Sequence, residues 1–197
     1  MSAAASANRR YRPPQRLAET QLYEYALGSL SRHAQSTAEL RQRLVRRAAE
    51  PPAVAAVLQR LTAAGLLDDR RFALQFATYA AGAKRFGHYR IAWELRRKGV
   101  AEEFIAAALA EVFPAERDEA ALVRARLERR LRSHRPPYPK KVLRSAYRSL
   151  LRAGFSSAII LRELRRPEVS GRQPLEEPFP PEAESPRAHG KQEAENK

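Results

Sequence analysis

Of 197 residues, 37 are Lys or Arg against 22 Asp or Glu, giving a formal net charge of +15 and a pI near 10.9. Such a balance is a statement about partners: nucleic acid first, a nucleoprotein assembly second, an acidic membrane surface third. The lack of cysteine excludes disulfides and thiolate metal sites, and His33, His88, His134 and His189 have no ligand spacing. No apolar run reaches the roughly 18–20 residues of a membrane span, and the arginine-bearing N-terminus has no apolar signal core, so the expectation is a soluble, cytoplasmic protein with no metal or cofactor.

In chain order, residues 1–16 read as a flexible basic arm with Arg9, Arg10, Arg12 and Arg16. Leu22, Tyr25, Ala26 and Leu30 then recur at helical spacing and predict a first helix. Ser36 with Glu39 three residues later forms a capping box for a second helix, with Leu40 and Leu44 inward. Pro51-Pro52 suits the first turn of a third, whose inward side is Val54, Val57, Leu58 and Leu61, and Gly65 can end it with a positive φ. Asp68 or Asp69 can cap a fourth helix with Phe72, Phe76 and Tyr79 at i, i+4, i+7. Lys84 to Gly87 is a connection. A fifth helix carries Ile91 and Leu95 inward and stops at Gly99, and a sixth carries Phe104, Ile105, Ala108 and Leu109. A longer seventh, from about Ala115 to Ser133, has Val123, Leu127 and Leu131 inward, and Arg135-Pro136-Pro137-Tyr138-Pro139 cannot continue it. An eighth carries Val142, Ala146 and Leu150 to Gly154. Ser156 or Ser157 caps a ninth, with Ile159, Ile160 and Leu164. Past Pro167 the chain turns to Pro, Glu and Gly, with seven acidic and four basic residues from Glu168 on, and reads as a disordered tail.

One phrase recurs: Leu44-Val45-Arg46-Arg47-Ala48, Leu95-Arg96-Arg97-Lys98-Gly99 and Leu150-Leu151-Arg152-Ala153-Gly154 each have a Leu, an Arg two residues on, and a small residue two further. Recurrence at about fifty residues is the mark of a tandem array. The fold class expected is all-α: three tandem three-helix repeats, at 17–65, 66–114 and 115–167, forming an elongated, curved body between an arm at 1–16 and a tail at 168–197. A unit of that size buries too little apolar surface to stand alone.

At 100° per residue, Tyr89, Arg90, Trp93 and Arg97 lie opposite Ile91 and Leu95. The equivalent side of the eighth helix holds Lys141, Arg144, Arg148 and Arg152, and that of the second holds Gln42 and Arg46. Stacked repeats would line up Arg46, Arg97 and Arg152, so Arg46, Arg90, Trp93, Arg97, Lys141, Arg144, Arg148 and Arg152 are the candidate residues of a phosphate-tracking or acid-tracking surface, Trp93 as a stacking or anchoring aromatic. The competing reading is a solvated Arg-rich face with Trp93 packed against the next unit. The Asp68-Asp69 pair, without His or a third carboxylate nearby, reads as capping, and His88 as a helix-start residue. No phosphate-binding Gly loop, metal motif or nucleophile–base pair is present, so no catalytic residue is expected.

Three segments carry a family resemblance: Ala26 to Leu44, with Leu30-Ser31-Arg32 and Ser36-x-x-Glu39-Leu40; Leu61 to Ala73, with Gly65-Leu66-Leu67-Asp68-Asp69-Arg70-Arg71-Phe72-Ala73; and Gly87 to Val100, with Arg90-Ile91, Glu94-Leu95 and Lys98-Gly99-Val100. In order and spacing, with Gly154-Phe155 as the third-repeat version, they resemble the RecX family, regulators of the RecA recombinase. The resemblance spans about Leu22 to Arg166. Ala48 departs from it where the family has Gly, and Tyr89 and Ala92-Trp93 fill variable positions. It implies binding to RecA and the RecA–DNA filament along its groove. The expected outcome is inhibition of filament growth, ATP hydrolysis, strand exchange and coprotease activity in recombinational DNA repair and the SOS response. The expectation is therefore a monomeric, non-enzymatic modulator with weak non-specific DNA binding. The alternatives are a helix-turn-helix-like DNA-binding regulator and a helical-repeat scaffold for another acidic partner.

Overall fold

The computed structural model describes residues 16–114 and 116–170. Apart from Arg16, the expected arm lies outside them, as does the expected tail beyond Ser170. The described residues form nine helices and a four-residue tenth, with no strand beyond an isolated bridge. The helices are α1 (Glu19–Leu30), α2 (Thr37–Val45), α3 (Pro51–Ala63), α4 (Asp69–Gly82), α5 (His88–Arg97), α6 (Glu102–Val112), α7 (Glu116–Leu131), α8 (Lys140–Arg152), α9 (Ser157–Leu164) and α10 (Pro167–Ser170). The last occupies ground read from composition as the start of the tail.

Two compact units make up this chain: one runs to Phe72 and includes Lys98–Val100, the other holds Ala73–Arg97 and everything from Ala101. In the first, α1 and α2 pack on α3 around Leu22, Leu40, Leu44, Val57 and Leu61, all essentially inaccessible to solvent. Each such side chain stabilises the fold by about 1.5–3 kcal/mol on area grounds. The capping box forms as expected: Ser36 Oγ accepts from the Glu39 amide (3.1 Å) and the Ser36 amide donates to Glu39 Oε2 (3.4 Å). Asp68 takes the capping role at α4, accepting from the Arg71 amide at 2.9 Å. Asp69 does something else, accepting from the Thr37 amide at the start of α2 (2.7 Å).

In the second unit α5 packs on α6, and α7, α8 and α9 enclose a core of Val123, Leu127, Leu143, Ala146, Tyr147, Leu150, Phe155, Ile160 and Leu164. On α8 the buried residues are Leu143 and Tyr147 beside Ala146 and Leu150, whereas Val142 is only half-buried. The aromatic stripe expected on α4 is corrected more sharply. Phe72 is buried as expected, but Tyr79 is 58% exposed and Phe76 half-buried, and the rest of the buried face is Ala73, Ala77, Ala80 and Ala81. Tyr79, at the edge of that face, takes Lys84 over its ring (5.5 Å).

The ends of α3, α5 and α8 share one device. Gly65, Gly99 and Gly154 all have positive φ (66°, 72° and 85°), the left-handed conformation that closes a helix. Gly99 and Gly154 have a second constraint. A Cβ on Gly154 would collide with the Arg90 backbone, because the Gly87 amide donates to Ala153 O (2.8 Å) and the Tyr89 amide to Gly154 O (3.1 Å). A Cβ on Gly99 would meet the Ala38 methyl, where Ser36 Oγ donates to Lys98 O and Lys98 Nζ pairs with Glu39 at 2.7 Å. The first turn of one middle helix is thus seated on the glycine turn after the next.

Ala48 departs for a visible reason. Here α2 runs into an extended bridge with Leu17, through Leu17 N–H to Arg47 O (2.7 Å) and Ala49 N–H to Leu17 O (2.9 Å). Ala48 has no positive φ, so an ordinary side chain fits, and it is buried.

Candidate partner-binding surface

The eighth helix reads KKVLRSAYRSLLR and contains no carboxylate. Burying Leu143, Ala146, Tyr147 and Leu150 turns Lys141, Arg144, Arg148 and Arg152 to solvent, and all four are exposed. None of the four has an ion pair or side-chain hydrogen bond within the described residues. Like charges at i, i+4, as in Arg144–Arg148 and Arg148–Arg152, cost an isolated helix a few tenths of a kcal/mol each. A face that served only to be solvated would be better built with Glu interleaved.

The fifth helix is a different kind of surface. Arg90 donates from Nε (3.1 Å) and Nη2 (2.8 Å) to Glu94 Oε1, and Arg97 Nη1 lies 3.8 Å from Glu94 Oε2. Both guanidinium groups also lie against Trp93, at 4.7 and 4.6 Å from the ring centroid. The half-buried Trp93 is therefore already engaged by its own helix rather than open for a base to stack, and its cation–π contacts hold the two arginines in place. Arg97 remains the more exposed of the pair, at 62% of its side chain. In the first unit Arg46 caps the end of α2, is exposed, and donates from Nε to Gln42 O at 3.1 Å. Arg46, Arg97 and Arg152 are each exposed at the end of a helix, of α2, α5 and α8 respectively.

Elsewhere, charges that look available are committed. Arg96 and Glu102 are hydrogen-bonded (Nε to Oε2, 2.9 Å), which raises the arginine pKa and holds Glu102 below the usual carboxylate range. His88 starts α5 and its Nδ1 lies 3.0 Å from Glu119 Oε2, whose carboxylate is buried and also accepts from the His88 amide. Burial would push the Glu163 carboxyl up, but hydrogen bonds from Arg124 and Arg166, both 3.1 Å, outweigh it and hold it low. No three His, Asp or Glu side chains among the described residues are placed to hold a metal ion. No helix among them is long and apolar enough to cross a membrane.

One basic group has no counterpart in the sequence reading. Lys84 and Arg85, read there only as a connection, meet Arg126, Arg129 and Arg130 of α7 around a single cleft. Their separation of some forty residues along the chain hides the cluster from any local pattern.

Residues 23–61 match the family model described as RecX, first three-helix domain, and residues 68–109 match RecX, second three-helix domain. Regulatory protein RecX of Mycobacterium sp. (strain JLS) is 41% identical over 149 residues, covering 73% of this chain and 79% of that protein. Regulatory protein RecX of Halorhodospira halophila is 39% identical over 132 residues, covering 67% and 79%. The crystal structure of RecX from Lactobacillus salivarius has the same fold, with a TM-score of 0.66 at 18% identity over 74% of this chain and 94% of that one.

Proposed function

This chain belongs to the RecX family of regulatory proteins, and on that premise we propose that it is a non-enzymatic modulator, mainly an inhibitor, of the RecA recombinase. It binds the RecA–DNA filament and limits its growth, ATP hydrolysis and strand exchange in recombinational repair and the SOS response. The division into three repeats, 17–65, 66–114 and 115–167, belongs to the same proposal; the shared glycine ending of α5 and α8 and the recurrent Leu-x-Arg phrase at the ends of α2, α5 and α8 support it.

The observation that carries the reading is the α8 face, four cations with no protein partner among the described residues. An acidic protein surface or a phosphate backbone would neutralise them, and Arg suits either through its planar fork of donors. The α5 arginines, half-neutralised by Glu94, contribute less charge and more shape. Direct DNA binding is then salt-sensitive and largely blind to sequence.

The test is RecA ATPase on single-stranded DNA, titrated with the full-length chain at low salt. Inhibition near stoichiometric ratios is expected; no effect at excess sinks the reading. Sequence-specific duplex binding without RecA would favour a DNA-binding regulator instead. Replacing Arg144, Arg148 and Arg152 by Glu should weaken filament binding by at least tenfold, roughly 1.4 kcal/mol. The melting temperature should stay nearly unchanged, as usual for exposed positions. Full-strength inhibition by that variant would show that α8 is not the contact.

A further inference from the structure

We propose that the cleft between the α4–α5 connection, α7 and α8 is a phosphate-binding pocket, separate from the outward face of α8. Its volume is ≈ 410 Å³, and its polar lining is Lys84, Arg85, Arg126, Arg129, Arg130 and Ser149, with no carboxylate. Arg126, Arg129 and Arg130 are spaced i, i+3, i+4 and so share one side of α7, where like charges disfavour the helix. Burial and then the charges of Arg129, Arg130 and Arg85 lower the Arg126 pKa, consistent with a cation held near other cations. None of these five side chains has a carboxylate partner among the described residues.

The cluster is also held in place. Arg126 Nη1 donates to Arg85 O at 3.0 Å, and Arg85 has a φ of 53°, the one positive value at a non-glycine position among the described residues. Arg130 Nη2 donates to Ser145 Oγ at 2.7 Å. Both partners are neutral, so the hydrogen bonds orient the guanidinium groups without discharging them, and most of their five N–H donors each are left over. Strained backbone that holds a charged side chain over a cleft is characteristic of binding sites. A single carboxylate would neutralise a small part of this charge, whereas a phosphate group offers oxygens to several guanidinium forks at once. Such groups come from a nucleic-acid strand or from a free polyphosphate.

The test uses the full-length chain without RecA, so it stands or falls independently of the ATPase result. Arg129→Gln is the clean variant, since Arg129 is exposed and makes no hydrogen bond or ion pair among the described residues. In phosphate-free buffer it should melt no lower than wild type, because it relieves repulsion; a structural arginine would lower the melting temperature. Tripolyphosphate at a hundredfold excess over its Kd should raise the wild-type melting temperature by about 5–10 °C, with most of that rise lost in Arg129→Gln. Binding of a fluorescent single-stranded oligonucleotide should lose about 0.7 in the slope of log K against log salt for each phosphate contact removed. A variant that changes only the polyphosphate response assigns the pocket to a free ligand; one that changes the oligonucleotide slope assigns it to a strand. Equal responses of wild type and variant to both probes, or an equal rise with polyglutamate, would overturn the proposal.

Discussion

Gly154→Ala and Gly65→Ala separate the local cost of a left-handed residue from the cost of a blocked contact. Both glycines end a helix with the same hydrogen bonds: Gly154 N–H to Leu151 O and Phe155 N–H to Leu150 O, against Gly65 N–H to Thr62 O and Leu66 N–H to Leu61 O. Both have positive φ, so alanine at either should cost about 1 kcal/mol of backbone strain. Around Gly65 nothing lies within 4 Å of an added Cβ, so no further cost is expected. At Gly154 the added methyl occupies the position of the Arg90 backbone. Relieving that collision separates the start of α5 from the turn after α8 and breaks the bonds from the Gly87 and Tyr89 amides. Each is worth about 1 kcal/mol net, and Gly154→Ala should lose about 3 kcal/mol altogether. For a chain of this length that is a fall of about 6–12 °C in melting temperature, against about 2–4 °C for Gly65→Ala. Thermal unfolding followed by circular dichroism reads both. Equal falls would refute the claim that Gly154 is selected by the contact.

Gly99→Ala should be destabilising through the Ala38 methyl, and Ala38→Gly in the same chain should recover part of the loss; purely additive double-mutant energies would count against that contact. Glu163→Gln should cost about 1.5–3 kcal/mol at neutral pH through its two arginine hydrogen bonds. Because the Glu163 carboxyl is held low, that stability is complete above the ordinary carboxylate range, about pH 4.3, and is lost as pH falls through the depressed folded value. The gap between wild type and Glu163→Gln should therefore close in acid, and a gap that widened would contradict the assignment. Trp93 is the sole tryptophan, so its fluorescence reports on α5. Arg97→Ala should uncover one side of the ring and move its emission to longer wavelength, and an unchanged spectrum would mean the guanidinium does not cover it.

The helices were legible because their signals are local. A Leu every three or four residues, Ser36 three before Glu39, prolines at Pro51-Pro52 and glycines at 65, 99 and 154 act within one or two turns, and the structure places helix starts and ends there. The outward turn of Lys141, Arg144, Arg148 and Arg152 was legible for the same reason, since burying Ala146 and Leu150 leaves them one direction. The α4 stripe held at Phe72, which is buried, and failed at Phe76 and Tyr79: the aromatic and alanine faces have the same period, and only the tertiary structure decides that Ala73, Ala77, Ala80 and Ala81 are inside.

What tertiary structure alone decided are the contacts between residues far apart in the chain. Gly99 and Gly154 look from sequence like helix endings and nothing more, yet each is also fixed by a methyl or a backbone some sixty residues earlier. Asp69 looks like a capping residue for its own helix and serves α2 instead. Trp93 reads from sequence either as a stacking aromatic or as packed against the next unit and is held by the charges of its own helix, while Lys84-Arg85 looks like a linker and meets three arginines of α7. Periodicity fixes which way a side chain points from its own axis, because that depends on rotation per residue. What it then meets depends on how helices pack, which no single stretch of this chain encodes.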